Sequence, residues 1–151
     1  MERPLIAYVD TSILLRLAHD EPNPLSEWPD IDAAITSSLT EIECARNLDR
    51  LRLVRSLPDA ELNRRRDRIS TILSTFRFVG LDRRVLGRAA QPFSAPLGTL
   101  DAIHLATALL YRDAEAPELV LATHDVQFAT AARASGLPVI GFLQKTVRAR
   151  R

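Results

Sequence analysis

The run Leu5-Ile-Ala-Tyr-Val9, followed at once by Asp10-Thr11-Ser12, is the stretch from which the fold can be predicted. A short, uninterrupted apolar run is typical of a strand that is covered on both faces, as strands are in a parallel sheet. The three polar residues after it are types that begin helices, and residues 13–18 continue with helical patterning. A buried strand that passes directly into a helix predicts an alternating α/β fold.

The remainder of the chain repeats this alternation of strand and helix. Further strands are predicted at residues 33–37, 78–81, 118–122 and 137–141. Helices are predicted at residues 39–55, from Pro58, from about Asp82, from a capping Thr99 through Tyr111, and at residues 125–135. The predicted class is therefore α/β, a three-layer α/β/α sandwich around a mostly parallel five-stranded sheet. We expect residues 1–144 to form a single domain and residues 145–151 to form a flexible basic C-terminal tail.

Composition and charge narrow the class of protein. The chain has 151 residues, of which 46% are hydrophobic and 26% charged, and this is ordinary for one globular domain. A net charge of +1 excludes a strongly basic nucleic-acid binder. The arginine-rich run from Arg64 to Arg68 could still contact RNA phosphates, contact a protein partner or form a solvated helix face. A single cysteine, Cys44, and the lack of a long apolar segment lead us to expect a cytoplasmic protein without a membrane span.

Four acidic residues follow strands or begin helices. Asp10 follows the first predicted strand and Asp125 follows the fourth. Glu43 lies early in the helix after the second strand, and Asp101 lies in the first turn of the helix before the fourth. Each has an ordinary explanation when taken alone. Asp10 and Asp125 could cap helices, Asp101 could interact with a helix dipole, and Glu43 could form a surface ion pair.

Their joint placement favours a different explanation. In parallel α/β sheets, ligands bind at the carboxyl ends of the strands, where the strand order reverses. Four carboxylates at that edge would repel one another, and one or more would take up a proton unless a counter-charge were present. A hard divalent cation relieves such repulsion, and Mg²⁺ uses one or two carboxylates together with several waters. The pattern therefore predicts a metal site suited to hydrolysing phosphodiesters.

Other hydrolase classes lack the residues that their chemistry requires. A haloacid-dehalogenase-like phosphatase needs a second aspartate two residues after the first, and this chain has Ser12 there. The Gly-x-x-x-x-Gly-Lys phosphate-binding loop and the Gly-x-Ser-x-Gly acyl-hydrolase motif do not occur in the sequence. These three classes are excluded.

Four segments together resemble the PIN-domain family, in particular its VapC-type toxins. They are Val9–Ser12, Ser37–Arg46, Leu100–Ala108 and Thr123–Val139. They occur in the family's order and cover nearly the whole chain. The resemblance implies a PIN-like α/β/α sandwich, RNA cleavage that depends on Mg²⁺ or Mn²⁺, and frequent homodimers. It also implies a small antitoxin, encoded beside the toxin, that neutralises it.

The resemblance assigns roles to individual residues. The family's acidic positions map onto Asp10, Glu43, Asp101 and Asp125. The small hydroxylated positions that would orient carboxylates or water are Thr11, Ser12 and Thr123. A helical wheel places Glu43 on the polar side of its helix and Glu41 in the more apolar arc, so periodicity alone does not select Glu43 and leans towards Glu41. The motif Thr-x-x-Glu-x-x-Arg, beginning at Thr40, selects Glu43 and leaves Glu41 in reserve.

These assignments give a mechanistic expectation. Asp10, Asp101 and Asp125 would hold one or two metal ions, and Glu43 would orient a second metal or the attacking water. The alternative is a catalytically silent PIN module that binds RNA or protein partners, although such modules usually lose acidic residues. His104 lies one helical turn after Asp101, and we expect it to pack within the helix layer or bond to backbone. His124 and the segment Ile140-Gly-Phe142 depart from the family's pattern, which points to different substrate contacts.

Overall fold

The computed structural model describes residues 2–141, and within them strands and helices alternate. The strands are β1 Leu5–Val9, β2 Ile31–Ser37, β3 Arg77–Val79, β4 Val120–Ala122 and β5 Val139–Ile140. The α-helices are α1 Thr11–Ala18, α2 Leu39–Arg55, α3 Asp59–Leu73, α4 Arg83–Ala89, α5 Thr99–Ala114 and α6 Val126–Ala134. A short 3-10 turn, Trp28–Asp30, precedes β2. The predicted tail, residues 145–151, lies outside the described residues.

The five strands form one sheet in the order β3-β2-β1-β4-β5. Every neighbouring pair is parallel, so the sheet is parallel throughout the described part of the chain. The chain moves outwards from β1 to β2 and β3, then returns to place β4 on the other side of β1. The strand order therefore reverses at the carboxyl end of β1, which is where sheets of this kind bind ligands.

Side chains of β1 alternate between two apolar cores. Ala7 and Val9 face the layer of α1, α2 and α3, whereas Tyr8 faces the layer of α5 and α6. The first core includes Ile13, Leu14, Cys44, Leu48 and Ile69, and the second includes Ile35, Leu105, Leu109, Leu121 and Phe128. The three-layer α/β/α sandwich expected from the sequence is confirmed. Its central strand is buried on both faces, as the apolar run predicted.

Element boundaries differ from the predicted ones at several points. β3 ends at Val79, two residues early, because Val79 pairs with Ser37, the last residue of β2. The helix α5 has its N-cap at Gly98, whose extended backbone (φ −71°, ψ 165°) precedes the first helical turn, so Thr99 is the first helical residue and not the cap. Pro58 is likewise the N-cap of α3. None of the described helices is long and apolar enough to span a membrane.

Candidate active site

A cavity of about 480 Å³ opens at the carboxyl edge of the sheet, and all four acidic residues singled out in the sequence line it. Asp10 comes directly after β1, Glu43 from the second turn of α2, Asp101 from the first turn of α5, and Asp125 from the N-cap of α6. These residues are distant in sequence, and the structure brings them together at one opening. The parallel topology accounts for this, because it places the ends of β1, β2 and β4 at the same edge.

The Asp10 carboxylate is almost fully buried and is held by two neutral hydroxyl groups. Its Oδ2 accepts hydrogen bonds from Ser12 Oγ at 2.7 Å and from Thr123 Oγ1 at 2.8 Å. Asp10 occupies the N-cap position of α1, but its side chain forms no capping hydrogen bond. Among the described residues, none donates a hydrogen bond to Oδ1. The carboxylate is therefore oriented by Ser12 and Thr123 and not by the helix that it precedes.

Glu43 shows the same arrangement. Its Oε1 accepts a hydrogen bond from Thr11 Oγ1 at 3.0 Å and a second one from the Nε2 of His104. The surface ion pair considered for Glu43 does not form with the neighbouring Arg46, because Arg46 pairs with Asp49. No hydrogen bond within residues 2–141 reaches Oε2 of Glu43. One carboxylate oxygen is thus fixed by two donors, and the other has no partner in the described chain.

Asp125 and Asp101 are held less firmly. Oδ1 of Asp125 accepts the backbone N–H of Phe128 at 2.9 Å, which caps α6, so the helix-cap explanation is correct for this residue. The backbone N–H of Asp125 donates to Thr123 Oγ1 at 3.0 Å. Asp101 forms neither a hydrogen bond nor an ion pair with any other side chain in the described part of the chain. Each of the four acids thus has at least one oxygen without a partner there.

The carboxylates perturb one another. Burial, and then the negative charges of Asp10 and Asp125, raise the pKa of Asp101 to about 6. Burial is also the main cause that raises the pKa of Asp10, although the nearby His104 and the two hydroxyl donors act in the opposite direction. No arginine within residues 2–141 forms an ion pair with any of these three acidic residues. The cavity therefore concentrates negative charge, and no arginine ion pair within the described residues offsets it at Asp10, Asp101 or Asp125.

The sequence matches the family model described as PIN domain over residues 7–134, which includes all four acidic residues. The chain belongs to the PIN-domain family. No curated protein gives a significant match to it.

Solved structures support the same assignment at the level of the fold. A chain of VapBC2 from Rickettsia felis, bound to a DNA fragment from their promoter, is 13% identical with a TM-score of 0.62, and 89% of this chain and 97% of that chain are covered. FitAcB from Neisseria gonorrhoeae is 22% identical with a TM-score of 0.63, and 90% of this chain and 96% of that chain are covered. A toxin–antitoxin complex from Klebsiella pneumoniae is 24% identical with a TM-score of 0.58, and 89% of this chain and 95% of that chain are covered. At these identities the likeness is one of fold.

One buried contact of this PIN domain is not predicted by the sequence. His104 is fully buried, with Nδ1 at 2.6 Å from the hydroxyl of Tyr8 and Nε2 against Glu43. The expected packing within the helix layer is confirmed, but the alternative of a backbone bond was wrong, because both ring nitrogens contact side chains. Burial lowers the pKa of His104, but the hydrogen bond and charge of Glu43 outweigh it and raise the pKa above its ordinary value. The signal in the sequence was the spacing from Asp101, which places both residues on one face of α5.

Glu41, held in reserve, lies elsewhere. It lines a separate cavity of about 400 Å³ between α2 and α3, together with Cys44 and Leu48, and not the cavity that contains the other acids. The structure therefore favours Glu43, as the motif did. Burial, and then the nearby charge of Glu43, raise the pKa of the Cys44 thiol to about 12, which keeps it protonated and excludes it as a nucleophile.

Basic residues lie at the mouth of the PIN-domain cavity. Arg46 and Arg50 line it beside Glu43, so the polar side of α2 is the side that faces the site. Arg50 is exposed and forms no ion pair with another residue of the described chain. By contrast, the run from Arg64 to Arg68 lies on α3 away from this cavity. Three of its arginines form ion pairs, with Glu61 or with Asp20.

The donor set suits a hydrated hard cation. Within residues 2–141, no group of three or more His, Cys, Asp or Glu side chains is arranged so that it could hold a metal ion as it stands. Mg²⁺ does not require such a group, because it binds through one or two carboxylates and keeps several waters. Asp10, Asp101 and Asp125 each bring an unpartnered carboxylate oxygen to this one cavity, and oxygen donors favour Mg²⁺ or Mn²⁺ over softer metals.

Proposed function

We propose that this PIN domain is a metal-dependent endoribonuclease of the VapC type, the toxin of a type II toxin–antitoxin pair. It would hydrolyse RNA phosphodiester bonds with Mg²⁺ or Mn²⁺ bound at the carboxyl edge of the sheet. The observation that carries this proposal is the convergence of Asp10, Glu43, Asp101 and Asp125 on one cavity, each with an oxygen that has no partner in the described chain. Like charges gathered around the buried carboxylate of Asp10 are costly without a cation, and a bound metal would remove that cost.

The comparisons support the antitoxin partner in this proposal. The solved structures that share the fold include VapBC2 and a toxin–antitoxin complex from Klebsiella pneumoniae. By analogy, the PIN domain of residues 1–144 would bind a small cognate antitoxin. From its resemblance to VapC-type toxins, we further propose that it forms a homodimer and takes RNA as its substrate. The arginines at the cavity mouth, Arg46 and Arg50, offer guanidinium groups of the kind that bind phosphates.

The acidic residues divide the work between binding and positioning. Asp10, Asp101 and Asp125 would hold the metal through their unpartnered oxygens. A divalent cation bound there stabilises charge on the phosphodiester and lowers the pKa of bound water. Ser12 and Thr123 keep the carboxylate of Asp10 in one orientation. Glu43, held at Oε1, would use Oε2 to orient the attacking water and accept its proton.

The experiment that tests this function compares charge-removing variants in an RNA cleavage assay. Asp10→Asn and Asp101→Asn keep the size of each side chain and should each lower cleavage by about 10²–10³-fold, the usual loss when one electrostatic contact to a transition state is removed. Asp67→Asn, an exposed acid on α3, is the matched control and should cleave normally. Circular dichroism checks that the variants are folded.

Two results would reject the proposed function. One is full cleavage by both Asp10→Asn and Asp101→Asn. The other is wild-type cleavage that EDTA does not reduce. A folded wild-type protein that binds RNA but does not cleave it with Mg²⁺ or Mn²⁺ would favour the catalytically silent module instead.

A further inference from the structure

Tyr8, His104 and Glu43 form a buried chain of hydrogen bonds that joins three elements. Tyr8 is on β1, His104 on α5 and Glu43 on α2, so the chain crosses from one helix layer to the other at the sheet edge. Tyr8 and His104 are both fully buried. Buried polar groups are costly unless they are hydrogen-bonded, and here the bonds lead directly to a carboxylate of the candidate site.

We propose that Tyr8 and His104 are positioning residues for Glu43, with Tyr8 fixing the imidazole and the imidazole fixing the carboxylate, so that Oε2 is presented to the cavity. This inference rests on the proposed nuclease function. It adds to that function two residues that never contact the substrate and act only through Glu43.

The direction of the hydrogen bonds follows from the chemistry of the groups. An ionised carboxylate can only accept, so Nε2 of His104 must carry the hydrogen that faces Glu43. In a neutral imidazole, Nδ1 then accepts from the hydroxyl of Tyr8, which lies 2.6 Å away. In a charged imidazole, Nδ1 donates to the same oxygen. Glu43 receives an N–H in both cases, so its orientation does not depend on the charge of His104.

The ring of His104 is also fixed by its neighbours. The Tyr8 ring meets it edge-on, with centroids 5.9 Å apart and an interplanar angle of 71°. The Phe128 ring lies on another side at 6.3 Å and 38°. Packing therefore restricts the rotation of the imidazole, and the bond to Tyr8 determines which nitrogen faces the cavity.

Glu43 needs such a support more than Asp10 does. A glutamate side chain has one more rotatable bond than an aspartate and loses more rotamer freedom when it is fixed. Asp10 is held by two short hydroxyl side chains, whereas Glu43 has Thr11 and the imidazole of His104. The longer acid is held by the larger and more rigid donor.

Three variants test the positioning role in the full-length protein. His104→Leu removes both ring nitrogens and should lower kcat for RNA cleavage by about 10–100-fold, the usual loss for a residue that orients a metal-site ligand, with KM for RNA nearly unchanged. His104→Gln keeps an N–H donor and should recover most of kcat. Tyr8→Phe removes one hydroxyl and should lower kcat by about tenfold or less. Tyr111→Phe, whose hydroxyl contacts Arg77 away from the site, is the matched control.

Nitrogen NMR of the His104 imidazole gives a readout that does not depend on activity. In the wild type we expect a protonated Nε2 whose signal moves in Glu43→Gln, and an Nδ1 signal that moves in Tyr8→Phe but not in Tyr111→Phe. Three results would overturn the inference. The first is a folded His104→Leu variant with the kcat of the wild type, and the second is a His104→Gln variant as impaired as His104→Leu. The third is an Nε2 signal that does not move in Glu43→Gln. If His104→Leu does not fold, His104→Gln, Tyr8→Phe and the NMR signals still decide. An inactive wild type would reject the nuclease function and leave this NMR test intact.

Discussion

The two halves of the cavity differ in how firmly they hold their acidic residues. On the half formed by β1 and α2, Asp10 and Glu43 each have one oxygen fixed by two donors. On the half formed by α5 and α6, Asp125 has a single capping bond and Asp101 has no partner among the described residues. The difference indicates that one side of the site is fixed in advance, and that the other side could adjust if the proposed cation and substrate bind.

The largest expected effect tests whether both halves share one cation. Mg²⁺ or Mn²⁺ at about one hundred times its Kd should stabilise the wild type by about 2.7 kcal/mol, because a ligand that binds only the folded state adds to the free energy of unfolding. Thermal unfolding with and without metal measures this. Asp10→Asn and Asp101→Asn should both lose the stabilisation. A variant on one half that keeps it would show that the halves do not share a cation.

A smaller effect is expected from the fixed half alone. Thr123→Val keeps the shape of the side chain but removes the hydroxyl that donates to Asp10 and accepts from the backbone of Asp125. We expect cleavage to fall by about tenfold, because Asp10 loses one of its two donors. Thr130→Val, on the exposed side of α6, is the control. Equal cleavage by the two variants would contradict the claim that Asp10 is oriented by its hydroxyl donors.

On the adjustable half, two roles of the Asp125 side chain can be tested separately: its cap of helix α6 and its proposed part in RNA cleavage. Asp125→Ala should lower the free energy of unfolding by about 1 kcal/mol, because the N-cap of α6 is lost. Asp125→Ser restores a capping oxygen and should regain most of that stability. Both variants should lose RNA cleavage, since neither has a carboxylate. Urea denaturation and the cleavage assay measure the two properties, and a cleaving Asp125→Ser variant would remove Asp125 from the site.

The smallest expected effect is on the pH dependence of stability in metal-free protein. The pKa of Asp101 is raised to about 6 in the folded state, so the folded protein binds this proton more tightly than the unfolded chain does. The resulting stability is present at low pH and is lost as pH rises through about 6. Solvent screening limits it to about 1 kcal/mol or less. Urea midpoints at about pH 5 and about pH 7.5 should differ more in the wild type than in Asp101→Asn, and identical differences would contradict the repulsion described for Asp101.

The fold could be predicted well from local sequence because its central strand is a continuous apolar run. The apolar residues 5–9 predicted both the strand β1 and its burial. The acidic residues that come after strands predicted that the site lies at the carboxyl edge of the sheet. The order β3-β2-β1-β4-β5 could not be read in this way, because it depends on which strands pair across the chain. Predicted element boundaries were wrong where strand pairing or helix capping determines them, as at Val79 and Gly98.

The site could be predicted in part for a similar reason. Asp10 follows β1 directly and Asp125 lies shortly after the end of β4, so topology alone places both at this edge. Glu43 needed the motif, because a polar helix side is normally taken to face solvent, whereas here that side of α2 faces the cavity. His104 was missed because its two partners come from other layers. Tyr8 lies on the opposite face of β1 from Val9. Only the three-dimensional packing shows that its hydroxyl contacts His104, the histidine that also contacts Glu43.

Phe128 belongs to both halves at once. Its backbone N–H caps α6 through Asp125, and its ring packs beside the imidazole that contacts Glu43. A shift of the α6 terminus would therefore move the wall against which His104 rests. Phe128 thus connects the backbone at Asp125 to the packing of the histidine that holds Glu43.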